Sequence, residues 1–261
     1  IKDLKEDDLV SIEIKEKDGS LIKRYNNKAK LNNLNPEADL PLALKSGGNK
    51  LIWDMRYPGY KEFEGMVFYS SPNKGPKAIP GEYLISLNYN GEVIEQSLKI
   101  EKDPRLENTD KDYRDQFDFL INVRNQVTRA NSAIIKIREV QKDLNYLKQK
   151  SGLTEEINNL INQFESKLSH IENNIHMTKN QSRQDPLNYG IRINNRIAFL
   201  LADSQRGDYP PTNQAKAFFK EITAELDREM EALEKLLNVS ISKLNEIVSD
   251  NQIGIFSMKS P

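Results

Sequence analysis

Apolar and polar residues alternate at the start of the chain, where Val10, Ile12 and Ile14 are separated by Ser11, Glu13 and Lys15. Successive side chains of a strand point to opposite faces, so this is the pattern of a half-buried strand. Asp18-Gly19 supplies a turn, and Leu21 to Tyr25 the returning strand. Residues 26–48 are rich in Asn, Pro and Gly and carry no clean period. From Lys50 to Tyr57 the alternation resumes and predicts a third strand. Leu51, Trp53, Met55 and Tyr57 share one face of it, and Ile52, Asp54 and Arg56 the other. Beyond a long loop over 58–80, Tyr83, Ile85, Leu87 and Tyr89 alternate up to Asn90-Gly91, a strong hairpin signal, and Val93 to Ile100 return. Five or six short strands predict an immunoglobulin-like or fibronectin-III-like β-sandwich over residues 1–102, with its first strand expected upstream of Ile1. The chain opens on Ile rather than Met, with no signal peptide, and reads as a piece of a longer protein.

The period changes after Asp103-Pro104-Arg105. Asn108-Thr109-Asp110 offers capping residues, and Phe117, Leu120, Val123, Val127, Ala130, Ile134, Ile137, Val140, Leu144 and Leu147 then recur every three or four positions. Ser151-Gly152 is the stop signal. A second helix follows Thr154-Glu155-Glu156, with Ile157, Leu160, Phe164, Leu168, Ile171 and Ile175 as its stripe. Asp185-Pro186 predicts the start of a third, Asp as cap and Pro in the first turn, carrying Leu187, Ile191, Ile197, Leu200 and Leu201. Gly207 to Pro211 turns the chain and Thr212 caps a fourth. Its stripe is Phe218, Ile222, Leu226, Met230, Leu233 and Leu237, extended by Ile241, Leu244 and Val248. No such helix buries its stripe alone, so residues 103–261 are expected to form an antiparallel four-helix bundle. The fold class predicted is α+β, with two domains.

Composition narrows the chemistry. With 38 Lys and Arg against 39 Asp and Glu the net charge is −1, so no global field favours nucleic acid or an anionic membrane. The mean hydropathy of −0.69 suits long exposed helices, and no apolar run is long enough to span a bilayer. The absence of Cys excludes disulfides, thiolate metal sites and cysteine nucleophiles. His170 and His176, six apart, fall on different helical faces and make no zinc pair. Neither a serine-nucleophile elbow nor a phosphate-binding glycine loop is present. Lys136, Arg138, Lys142, Lys148 and Lys150 are interleaved with Glu139 and Asp143 and lack aromatic platforms, so they do not read as a nucleic-acid stripe. A glycosidase needs two carboxylates at a set separation, but among 39 acids a pair is always available. Glu225, Asp227, Glu229, Glu231 and Glu234 read as solvated partners of neighbouring bases. No cofactor is expected.

Several segments resemble a known family. Gly48-Asn49-Lys50-Leu51-Ile52-Trp53-Asp54-Met55-Arg56-Tyr57-Pro58, then Pro80-Gly81-Glu82-Tyr83 and Asp103-Pro104-Arg105, recur in that order in bacterial proteins with a sortilin-like (VPS10-type) β-propeller. So does the run from Gln184 to Ile197, QDPLNYGIRINNRI. Such proteins often carry a glycosyl hydrolase label, which belongs to the propeller. What this chain resembles is the tail that follows it, an immunoglobulin-like module and a helical bundle. The Lys- and Asn-rich composition fits an AT-rich genome of Bacteroidetes type. The resemblance implies export to the periplasm, cell surface or medium, and the upstream β-propeller as partner, with another envelope protein or a glycan as a further one. Neither nucleic acid nor membrane insertion is implied.

Two places carry the candidate residues. Trp53, Asp54 and Arg56 read either as a carbohydrate platform or as a core tryptophan with a charged pair that ties the following loop. Asn188, Arg192 and Asn195 lie three or four apart on the predicted third helix, behind Asp185. They read either as a partner site or as a cap with amides that satisfy backbone groups at a helix break. The function expected is a non-catalytic C-terminal accessory module that mediates docking or partner binding. The alternatives are a substrate-contacting part of a glycan-active hydrolase and a scaffold that dimerises through the bundle.

Overall fold

The computed structural model of the chain describes residues 1–150 and 153–250, the last three by backbone alone. The Ser151-Gly152 stop signal and the Val248 side chain lie outside the described residues. The chain is α+β, with a five-stranded mixed sheet and five helices among the described residues. It divides into two compact units, neither drawn from one stretch of sequence. The first comprises Ile1–Glu64, Pro72–Asn125 and Leu201–Asn213, and the second Gly65–Ser71, Gln126–Leu200 and the chain from Gln214 onward.

In the first unit, β1 (Val10–Glu16), β2 (Leu21–Asn26), β3 (Leu40–Pro41), β4 (Gly81–Tyr89) and β5 (Glu92–Ile100) form one sheet in the order β3-β2-β1-β4-β5. β3 is parallel to β2 and every other pair is antiparallel. Asn90 (φ 51°) and Gly91 (φ 94°) are both left-handed, as a two-residue hairpin turn that matches strand twist requires, and Tyr89 faces Glu92 across it. Alternation then sorts the faces. Val10, Ile14 and Tyr83 are buried with Ile22, Tyr25 and Leu42, and Leu4, Leu44, Leu51 and Trp53 pack over them. Each such side chain contributes about 1.5–3 kcal/mol by leaving water. Across the other face runs a charge ladder: Arg24 to Glu13 at 2.6 Å, Glu13 to Lys15 at 2.8 Å and Lys15 to Glu95 at 3.6 Å.

The predicted third strand over Lys50–Tyr57 is not formed. Arg56 makes an isolated antiparallel bridge with Lys77, and Met55 adopts φ 53°, which breaks the alternation. Met55 and Ile52 are 51% and 73% exposed, on neither a core face nor a sheet. β3, by contrast, arises inside the segment without a period.

Helix α1 (Asp110–Lys148) begins with a reciprocal cap: the Thr109 amide donates to the Asp112 carboxylate at 2.8 Å and the Asp112 amide to the Thr109 hydroxyl at 3.2 Å. Its 39 residues span about 58 Å. Its turns to Asn125 belong to the first unit and those beyond to the second. In the second unit α2 (Glu155–Ile175) is capped by Thr154, whose side chain accepts from the Ile157 amide. Gln141 to Ser169 and Arg138 to Glu172 bonds order α1 and α2 as antiparallel neighbours. The predicted third helix is two: α3 (Pro186–Tyr189) stops at Gly190, φ 76°, and α4 (Ile193–Ser204) starts after it. Leu187 and Ile191, expected in its stripe, are therefore exposed, whereas Ile197, Leu200 and Leu201 are buried. Helix α5 (Asn213–Asp250) buries Ile222, Leu226, Leu233, Leu237, Ile241 and Leu244 along one side.

Candidate functional site

The Lys50–Tyr57 segment is extended but spends its polar groups locally. The Trp53 indole packs edge-on to Tyr83, with ring centroids 5.9 Å apart, and its N–H donates to the Arg56 carbonyl at 3.1 Å. The Asp54 carboxylate accepts from the Arg56 amide at 3.2 Å and from Lys23 at 2.8 Å. The Arg56 guanidinium donates to the Gly75 carbonyl and to the Gln205 side chain, both at 2.7 Å. Backbone bonds from Tyr57 to Pro76 and from Ala78 to Met55 lace the segment to the loop before β4. Trp53, Asp54 and Arg56 are thus brought together, each held by a partner inside the first unit. The segment forms a braced loop whose tip, Ile52 and Met55, faces water.

Beside this loop the first unit forms an open pocket of about 310 Å³. Met55 and Arg56 contribute one side, Tyr113 and Phe117 of α1 another, and Gln205 and Asp208 of the 201–213 segment a third. Lys77 and Asp208 pair at 3.2 Å, and Gln116 donates to the Ser204 and Gly207 carbonyls at 3.0 and 2.9 Å. Asp103, paired bidentately with Arg105, is held down to about 2 by that guanidinium and by the Arg105 amide. The Tyr113 hydroxyl is closed off from solvent and has no hydrogen-bond partner among the described residues. Burial, then the negative charges of Asp208, Asp103 and Asp110, raise its pKa. Sequence reading missed Tyr113, Gln205 and Asp208, because nothing local marks residues about a hundred positions apart as neighbours.

The second set of candidates does not converge. With the helix broken at Gly190, Asn188 and Arg192 are exposed while Asn195 is 3% exposed. Asp185 does not cap α3. Its carboxylate turns back to accept from the Gln181 and Ser182 amides at 2.7 and 2.8 Å and from the Ser182 hydroxyl, and those bonds lower its pKa. Asn195 instead holds the 65–71 segment: its carbonyl oxygen accepts from the Tyr69 amide at 2.8 Å, and its amide donates to the Tyr69 carbonyl and the Ser71 hydroxyl, both at 3.1 Å. Next to it Asn194 donates to Asn131 at 3.1 Å and to His176 Nδ1 at 3.3 Å. An imidazole that accepts at Nδ1 is neutral with its proton on Nε2. Burial, then the Arg138 charge, push His176 down to about 4 against the weaker support of Asn194. Asn195→Ala is expected to cost about 2 kcal/mol in urea unfolding, because two backbone groups of Tyr69 lose their partner, whereas Arg192→Ala stays within about 0.5 kcal/mol.

Among the described residues no three His, Asp or Glu side chains gather as a metal site, and no helix is long and apolar enough to cross a membrane. Compared with protein family models, with curated proteins and with solved structures, the chain matches none.

Proposed function

We propose that this chain is a non-catalytic accessory module, the C-terminal part of an exported, propeller-containing bacterial protein, and that it acts by docking. The finer fold belongs to the same proposal: the sheet as part of an immunoglobulin-like sandwich, and the helices as an antiparallel four-helix bundle. The observation that carries the reading is the braced 50–57 loop. Trp53, Asp54 and Arg56 are committed to holding its shape, and the two large apolar side chains at its tip, Ile52 and Met55, are left in water. A preorganised apolar tip loses little entropy on binding and suits a protein partner. Calorimetric titration of the chain with the separately produced propeller is expected to give saturable binding, weakened at least tenfold by an Ile52→Ser, Met55→Ser double variant, or about 1.4 kcal/mol. No heat, or heat unchanged in the variant, overturns docking through this loop.

The pocket favours a second reading, contact with a glycan. It lies at the lower end of small-molecule site volumes, and of its charged lining Lys77 pairs with Asp208 and Asp103 with Arg105, while Arg56 and Lys102 donate to neutral oxygens within the chain, an arrangement that suits an uncharged hydroxylated ligand. Heat from titrated N-acetylglucosamine that disappears in Tyr113→Phe would favour this reading over docking.

A further inference from the structure

Among the described residues β5 is an edge strand that pairs with β4 alone, and residues 92–97 are exposed on both faces, Val93 by 56% and Ile94 by 68%. Because Tyr89 and Glu92 close the two-residue turn as a hydrogen-bonded pair, alternation aims the amides and carbonyls of Glu92, Ile94, Gln96 and Leu98 at β4. Those of Val93, Glu95, Ser97 and Lys99 point outward, a row of donors and acceptors ready for another strand.

We propose that β5 is a homodimerisation edge: a second copy of this chain pairs with it antiparallel, two-fold about Ser97, and the sheet runs on across the dimer. The argument for a second copy is self-complementarity. Glu92 and Glu95 lie in the first half of the strand, Lys99 near its end and Lys102 two residues beyond it, and Glu95 and Lys99 sit at the exposed surface beside Lys15 at 3.6 Å and Glu101 at 2.9 Å. Centred on Ser97, Glu95 faces Lys99 of the second copy, Glu92 faces Lys102, and exposed Ile94 faces Ile100. The outward-pointing residues are then the ones that exchange hydrogen bonds, as in every register centred on a residue, and charge selects among those registers. Centring on Gln96 leaves Glu92 opposite Ile100 and Glu95 opposite Ser97. Centring on Glu95 sets that carboxylate against itself, and centring on Leu98 sets it against Glu101. Charges normally protect an open edge from pairing, and here they repel or waste every neighbouring register but one.

Sedimentation equilibrium of the 261-residue chain, from micromolar to sub-millimolar, is expected to show a mass rising from 30.0 kDa toward twice that value. Ser97→Pro removes an outward amide that β4 does not use, and is expected to leave a folded monomer. Lys99→Glu places like charges at both symmetric positions and is expected to weaken the dimer about tenfold, and adding Glu95→Lys to restore it. A chain monomeric at every concentration, as when the edge is covered by some other segment, overturns the proposal. So does a dimer that both single variants leave intact.

Discussion

One methyl group added at Gly75 is expected to destabilise the first unit by about 3 kcal/mol or more. Gly75 is buried, and a Cβ built on it overlaps the Tyr57 carbonyl oxygen and comes within 2.5 Å of the Pro58 oxygen and 2.7 Å of its carbonyl carbon. Backbone atoms cannot rotate away as a side-chain tip can, so the two loops must separate. The Tyr57 to Pro76 and Ala78 to Met55 bonds and the Arg56 grip on the Gly75 carbonyl go with them. Tyr57 then loses its place, where its hydroxyl donates to Glu16 of β1 and its ring meets Phe117 edge-on at 4.7 Å. Gly48→Ala is the control, since a Cβ there meets nothing within 4 Å and its backbone is not left-handed. Urea unfolding of both variants checks the expectation. Equal midpoints would mean that the loops part freely.

His176 should give the chain a stability that fades on mild acidification. In the unfolded chain its imidazole protonates near the ordinary value of 6.5, but in the folded second unit only at about 4. Between those values the unfolded state binds more protons, so stability falls as pH drops from 6.5 to 4, by of the order of 3 kcal/mol in all. Asp8 and Asp103, held at about 2, begin to cost stability only below their ordinary 3.8, so the two windows separate. Unfolding midpoints measured from pH 7 to pH 4 should flatten in His176→Gln, which keeps an acceptor for Asn194. A slope unchanged in that variant would assign the acid sensitivity elsewhere.

Elements whose cause is local were legible in the sequence. β1, β2, β4 and β5 follow from two-residue alternation around Asp18-Gly19 and Asn90-Gly91, and α1, α2 and α5 from apolar residues three and four apart. The 50–57 segment alternates just as cleanly yet is no strand, because its side chains take the partners that a sheet neighbour would have supplied. Extended loops and strands share one period, and only the distant Gly75–Ala78 stretch decides between them. Of the candidate residues, Trp53, Asp54 and Arg56 lie together in a loop rather than on the expected strand, while Asn188, Arg192 and Asn195 are separated by the helix break at Gly190, which apolar spacing alone does not reveal. Asn194 and Asn195 look like surface polar residues until Asn131 and Tyr69, 63 and 126 positions away, supply their bonds.

The interleaving of the two units has a consequence for synthesis. The chain passes from one unit to the other five times, after Glu64, Ser71, Asn125, Leu200 and Asn213. The sheet strands are complete by Ile100, but the unit that contains them gains its last segment only when Asn213 has been added. At roughly 5–20 residues per second, that is roughly 10 to 40 s after translation of this stretch begins. The first unit therefore cannot be completed before much of the second has been made: its strands are present by Ile100, and the 201–213 segment joins them only after residues 126–200 have been translated.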